Sequence, residues 1–528
     1  MSEHARRIAL AAVIVASATA VSRVVGLVRE VLIAGAYGID PHYNIFVSVA
    51  AIPNVIQQLF ADAAISAALV PVLVALIAGG ELARARRLTG SVLGFMLTVV
   101  GTVVVVLVVA AEPIVRVLYP ELTTTSEAAG AAASYLRIVV PTILVLSLCG
   151  VFSGTLLARE RFTVPAVVSI VWNLVIITFV SVWHSSWGVS ALAWGTLAGT
   201  IAELVLLVWA VRSVHEPVRI NLHFRDPQLR HVLALMVPIA MTLGILNFNA
   251  LIDLFFAQFV GARAAAELHY SFRLYTLPQG IFAVTIGTVL FPSLSRYAAQ
   301  HDAGRFRETL STGVRQMVFV SLPFLAWFTV LATPIVRVIF QRQAFTTADT
   351  AAVAPVLAAF ALGLTFANVN MMFNRSFQSM QRPWLPLYVG LVNLGLNAVL
   401  DWILLGPLGA SGIALSTSLV SIFNCAVLAY LLRGQLGRAE ARRIAVATSK
   451  ALLCVAALAA VAAVVWGVLE GPAADRFVPV LAALLLAVVA SGATYAGAAR
   501  LLRLDELGLA WRLLRRKGAP ATEPAEGL

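Results

Sequence analysis

Charge is scarce in this sequence. Only 12% of the 528 residues are Asp, Glu, Lys or Arg, against about 25% in a soluble globular domain. So few charges cannot solvate a surface of ordinary size, which excludes a water-soluble enzyme. Lysine is nearly missing: Lys450 and Lys517 stand among 37 basic residues, the rest arginine. Cysteine is limited to Cys149, Cys425 and Cys454, each inside an apolar run. With no Cys/His cluster at metal-ligand spacing, these thiols read as buried and inert. There is no G-x-x-x-x-G-K-[ST] loop and no hydrophilic stretch large enough for a nucleotide-binding domain, so this chain does not hydrolyse ATP. No nucleophile has a base and an orienting partner at a familiar spacing. Ten-residue alternating segments, the mark of a transmembrane barrel, are also missing, since 92–109 and 478–489 are continuously apolar.

What is present is apolar length. Hydrophobic residues make up 60% of the chain and the mean hydropathy is +0.92, so the fold class is an all-α polytopic membrane protein. Breaking the apolar runs at Gly, Pro and charge clusters predicts about fourteen transmembrane helices: 8–36, 43–78, 88–111, 128–157, 162–183, 188–212, 231–260, 266–297, 311–339, 351–377, 384–405, 408–432, 447–469 and 476–502. The basic start at 1–7 followed by an apolar stretch resembles a signal peptide, but that stretch runs past Arg23 and Arg29 without a strong cleavage signal and reads as a retained first helix. The net charge of +12 bears on topology rather than on nucleic acid. Connections on one side carry Arg84, Arg86 and Arg87, then Arg159 and Arg161, Arg212 to Arg230, Arg296 to Arg307, Arg382, and Arg433 to Arg443. The positive-inside bias puts both termini in the cytoplasm.

The chain also repeats itself. Pro113-Ile114-Val115-Arg116-Val117 recurs letter for letter as Pro334-Ile335-Val336-Arg337-Val338, an offset of 221 residues (334 minus 113). The same offset relates Pro71 to Pro292, Arg161 to Arg382, Gly188 to Gly409 and Thr196 to Thr417. Two pseudo-symmetric six-helix lobes are therefore predicted, 1–221 and 222–440, with a helix pair over 441–504 and a basic tail over 505–528. Six spans per repeat give both copies one orientation in the membrane, a usual frame for alternating access with the substrate between the lobes.

Ionisable residues inside the spans carry the functional signal. Arg23 and Arg29 lie in the first span, Asp62 in the second, Asp253 in the seventh, Arg273 in the eighth and Asp401 in the eleventh. A central Arg or Asp costs about 2.5–3.5 kcal/mol on the insertion scale, so these residues face a cavity or partners rather than lipid. Arg23 and Glu30, seven apart on one helical face, suit a local ion pair, whereas Arg29 and Arg273 have no obvious local carboxylate. Interlobe salt bridges would account for the arginines; a cationic cavity for an anionic head group is the functional reading, because guanidinium forks match phosphate oxygens. Asn397 and Asp401 share a face at i, i+4, as do Ile413 and Thr417 on the next helix, and Asp253 can join them. These oxygens suit a hard cation, or else they are hydrogen-bonding glue between helices.

Several motifs resemble one family. Ser22-Arg23-Val24-Val25-Gly26-Leu27-Val28-Arg29-Glu30, then Ile52-Pro53-Asn54, Phe60-Ala61-Asp62, Val70-Pro71-Val72-Leu73 and Leu290-Phe291-Pro292-Ser293-Leu294-Ser295 look like the signatures of the MurJ/MviN family of lipid II flippases. The resemblance runs over essentially the whole chain. It implies fourteen helices, two six-helix lobes and a final helix pair bordering a groove for the lipid tail, in the bacterial inner membrane. It implies that Arg23, Arg29 and Arg273 engage a diphosphate–sugar head group, with Glu30, Asn54 and Asp62 as further cavity residues. It also implies that Asp253, Asn397, Asp401, Ile413 (through its carbonyl) and Thr417 form a sodium site, with sodium as the coupling ion and no other cofactor. The implied partners are lipid II or a related undecaprenyl-linked sugar, membrane lipids and cell-wall synthesis proteins, with no nucleic acid. The chain departs from the family pattern at Gln57 and Gln58, where arginines are usual, at Asn44 in place of an acidic residue, and at Thr276 in place of a glutamate. These departures keep open a divergent undecaprenyl-linked substrate or an inactive cell-wall scaffold, and the shared superfold keeps open a cation-coupled multidrug antiporter. Arginines in the cavity disfavour cationic drugs, because like charges repel strongly at low dielectric.

Overall fold

The structure, a computed structural model, describes residues 3–60, 62–213, 220–222, 224, 226–279, 284–382, 384–473 and 476–508. The side chain of Asp62 and the tail from 509 onward lie outside the described residues. The predicted spans fall largely on helix over their described residues, and the chain is an all-α polytopic membrane protein. By length and hydropathy, nine helices among the described residues qualify as membrane spans.

The chain packs into two units. The first holds α1 (Glu3–Tyr37), α2 (Pro41–Phe60), α3 (Asp62–Ala78), α4 (Leu82–Phe95), a π-helical turn at Met96–Val100, α5 (Gly101–Val109), α6 (Ala111–Leu118), α7 (Ser126–Val139), α8 (Pro141–Leu157), α9 (Thr163–Trp187), α10 (Ser190–Ser213) and α11 (Pro227–Val260), with the segment Arg342–Thr346. The second, from Glu267, holds most of α12 (Ala264–Pro278), then α13 (Val284–Ala299), α14 (Ala303–Val330), α15 (Ala332–Phe340), α16 (Thr347–Ser379), α17 (Trp384–Leu408), α18 (Ala410–Ala473) and α19 (Phe477–Leu501). Helix is what a chain must form in hydrocarbon, because each backbone N–H and C=O then finds a partner within its own segment. Hydroxyls follow the same rule by turning back onto carbonyls four residues earlier, as Thr98 does onto Gly94 (2.8 Å) and Thr196 onto Leu192 (2.8 Å). Large apolar side chains stay outside, with Val109 77% and Val468 68% exposed, as a lipid-facing surface requires.

The repeat survives in the backbone. Helices start at Leu82 and Ala303, Ala111 and Ala332, Ser126 and Thr347, and Thr163 and Trp384, each pair 221 residues apart. Gly188 (φ 55°) and Gly409 (φ 59°) turn the chain at equivalent positions, and their N–H groups bond His184 O and Leu405 O, each at 3.0 Å. Sequence repeat and packing divide the chain at different places. By sequence α11 opens the second repeat, yet it packs on α2 and α3 and belongs to the first unit.

Within the second unit, α18 holds two of the predicted spans, separated at Gly437 (φ 69°, ψ 162°). The break frees carbonyls of the preceding turn, and Arg307 Nε donates to one of them, Gln435 O, at 2.9 Å. The helix pair beyond the break is fastened to α14: Tyr495 donates to Phe319 O (2.7 Å), Trp327 Nε1 to Ser491 Oγ (3.0 Å), and Arg315 pairs with Glu506 (2.6 Å).

In the first unit, Arg342–Thr346 lies against the end of α1, where Ala344 N donates to Gly35 O at 3.0 Å. Gly38 turns there at φ 54°, and a Cβ on it would clash with the backbone oxygen of Ala344. Both terms act against a side chain, so Gly38→Ala is expected to destabilise the fold by about 1–3 kcal/mol. A lowered thermal midpoint in detergent would show this; an unchanged midpoint would mean that the loop yields freely.

Candidate substrate and cation sites

The sequence-predicted residues fall into two groups, one on α1 and α2 and one on α17 and α18. On α1, Arg23 is exposed, while Arg29 and Glu30 are buried and paired at 2.5 Å. This corrects the expectation that Arg29 lacks a local carboxylate. Adjacent side chains on a helix diverge, but the long arginine stem curls back to its neighbour. The Arg29 guanidinium also lies 4.6 Å from the ring centroid of Trp172 on α9, a cation–π distance. Nearby in the same α1–α9 seam, Ser22 Oγ and Ser169 Oγ are 2.9 Å apart, and Asn173 Nδ2 donates to Ser169 O at 2.7 Å. A charge pair is held here under a ring, shielded from solvent.

Asn54 is exposed on α2, one residue after Pro53, and Gln57 is half-buried one turn further on. Asn44, the other departure on α2, is buried and its Oδ1 accepts from Ala266 N at 3.0 Å. An amide there ties α2 to an otherwise orphan N–H in the first turn of α12. Tyr119, in the turn between α6 and α7, donates to Ser48 O at 2.8 Å; burial pushes its phenol upward, so it stays a donor. Arg273 lies exposed on α12, with Nε donating to His269 Nε2 at 3.2 Å, and Thr276 Oγ1 donates to Arg273 O at 3.0 Å.

The second group is buried and polar. The stripe that α17 buries is Val389, Asn393, Asn397 and Asp401, spaced by four. Asn397 Nδ2 donates to Asp401 Oδ2 at 3.0 Å, and Ser416 Oγ on α18 donates to Asp401 Oδ1. Ser416 Oγ is also 2.8 Å from Ile413 O, and Thr417 Oγ1 is 3.4 Å from the same carbonyl. Four of the five predicted ligand residues thus meet across α17 and α18, joined by Ser416, which spacing arguments on single helices miss. The repeat holds the signal that finds it: at the 221 offset, Ile176, Val180 and Gly195 of the first repeat become Asn397, Asp401 and Ser416. Asp253, the fifth, is half-buried on α11 in the first unit.

Among the described residues no three His, Cys, Asp or Glu side chains cluster to hold a metal. The α17–α18 group instead offers one carboxylate among neutral oxygens. That donor set fits a monovalent hard cation, which cancels the single buried charge, better than a divalent one, which leaves a net charge in low dielectric.

The sequence profile of the lipid II flippase MurJ family matches residues 33–487. A probable lipid II flippase MurJ of Synechocystis is 30% identical over 447 residues, 82% of this chain and 83% of its own. Its counterpart in Vibrio cholerae is 28% identical over 435 residues, 80% and 82% of the two chains. Among solved structures, a lipid II flippase MurJ in an inward closed conformation superposes with a TM-score of 0.77 at 22% identity, covering 92% of this chain and 99% of that one. An inward-facing multidrug resistance MATE transporter gives 0.65 at 14% identity, covering 81% and 96%. The second likeness is one of fold alone, whereas the profile match extends over most of the sequence, and the chain belongs to the lipid II flippase MurJ family.

Proposed function

We propose that this chain is a transporter, not an enzyme, and that it flips lipid II from the cytoplasmic to the outer leaflet of the bacterial inner membrane, with both termini in the cytoplasm. The observation that carries the reading is the family match over 33–487, joined to the presence of Arg23, Arg29 and Arg273 in the spans. In this reading the guanidinium groups take the diphosphate, Glu30 balances Arg29, and Asn54 and Asp62 serve the sugar. Gln57 and Gln58 replace charge with hydrogen bonding, which suits a head group held by fewer cations. The deciding experiment is depletion complementation: in cells stripped of their own lipid II flippase, this chain is expected to restore exposure of lipid II on the outer face. Failure in cells where the chain is inserted and folded would sink the reading.

The driving force is proposed to be the membrane potential, with sodium at the α17–α18 group adding bias. Moving a charge through the potential yields about 2.3 kcal/mol per 100 mV. A diphosphate bound to arginines is largely neutralised, so the loaded step is weakly voltage-sensitive, while the empty carrier keeps its positive charge and is drawn inward. Collapsing the potential at fixed ion gradients is therefore expected to increase outside labelling of a Gln57→Cys variant. Unchanged labelling would move the coupling to the cation.

A further inference from the structure

We infer that Trp172 is the positioning residue that sets the plane of the Arg29 guanidinium for an anionic head group, an inference that rests on the substrate reading of Arg29 above. Glu30 grips one terminal nitrogen of that guanidinium, Nη2, at 2.5 Å. One such contact leaves the plane free to swing about it, and the ring face at 4.6 Å removes that freedom. With both contacts made, Arg29 Nε is buried with no hydrogen-bond partner among the described residues, as are Trp172 Nε1 and Asn173 Oδ1. These two N–H donors and the Asn173 amide oxygen are thus kept uncommitted. Buried polar groups rarely stay so without a ligand or water to take them up.

The ring also has a slot made for it. A Cβ on Gly199 of α10 would lie 2.8 Å from Trp172 Cδ1 and 3.1 Å from Trp172 O, so only glycine admits the indole at this depth. In the second repeat the equivalent positions, 221 residues on, are Asn393 and Val420. Ring and slot are therefore present together in the first repeat and absent together from the second. Apolar packing alone would not require this pairing, since a branched aliphatic side chain against alanine fills a helix seam as well.

The test is binding of undecaprenyl diphosphate to the full chain in lipid nanodiscs, with undecaprenol as the probe that lacks the diphosphate. Trp172→Leu, which keeps apolar bulk but loses the π face, is expected to weaken diphosphate binding about 10-fold, equal to about 1.4 kcal/mol. Trp172→Phe is expected to stay within about 3-fold of the parent. Gly199→Ala keeps both Trp172 and Arg29 but displaces the ring, and it should match the leucine variant. Arg29→Gln, which can still bond Glu30, should bind weakly, and adding Trp172→Leu to it should change nothing more. Undecaprenol should bind all of them alike, which a merely structural role for the ring would not allow. Parent-like binding by Trp172→Leu, equal losses in the leucine and phenylalanine variants, or a loss that extends to undecaprenol overturns the inference while leaving the substrate reading intact. Parent-like binding by Arg29→Gln overturns the substrate reading itself, and the role of Trp172 with it.

Discussion

An Arg273→Ala chain is expected to insert, fold and melt like the parent yet fail to expose lipid II. Arg273 is exposed on α12, and its Nε donates to a neighbouring imidazole, His269, on the same helix. Truncating this exposed side chain should cost the fold less than truncating the buried Arg29. A charge-assisted hydrogen bond to a phosphate oxygen is worth about 1.5–3 kcal/mol, so its loss should weaken head-group binding by about 10- to 100-fold. Lysine at 273 should recover only part of this, because an ammonium is a point charge without the planar fork. Arg29→Ala should behave differently. There the truncation takes the guanidinium from a buried carboxylate, Glu30, so stability should fall along with transport, by about 3–5 kcal/mol for a broken buried pair. Complementation paired with thermal melting separates the two cases. Normal transport by Arg273→Ala would end the assignment of Arg273 to the diphosphate.

The contrast between the two arginines marks where the sequence is legible. Both are intramembrane cations by position, and the insertion cost alone says that neither faces lipid. What separates them, the stacking of Arg29 on Trp172, joins residues 143 apart (172 minus 29) across α1 and α9, and no periodicity on either helix reports it. The α17–α18 group is legible in part for the same reason. Asn397 and Asp401 lie on one helix face and can be paired from spacing, whereas Ser416 reaches Asp401 across two helices and emerges only when the two repeats are aligned. The helices themselves are read readily because apolar length dictates them. The side on which α11 packs is not, because a helix apolar around most of its circumference carries no face that names its partner.

Asp401→Asn is expected to abolish sodium-dependent stabilisation of the purified chain. Asp401 is fully buried and accepts hydrogen bonds from Asn397 and Ser416, and it is the one carboxylate in the α17–α18 group. A sodium ion there would exchange the Ser416 proton contact for a direct ion–oxygen contact and cancel the buried charge. Binding to the folded state alone stabilises it by about 2.7 kcal/mol when the ion is at 100 times its dissociation constant. The parent should therefore melt at a rising temperature as sodium replaces choline at constant ionic strength. An asparagine keeps the shape and one acceptor oxygen but not the charge, so its melting should be flat across the same titration. Its baseline stability should stay near that of the parent without sodium, because the carboxamide oxygen can still accept from one of the two donors. Ser416→Ala offers the intermediate case: it removes a neutral donor, leaves the carboxylate, and should shift the sodium titration without erasing it. A parent that melts identically in sodium and choline would reduce the group to hydrogen bonding between α17 and α18. A sodium response that survives in Asp401→Asn would place the ion elsewhere in the chain.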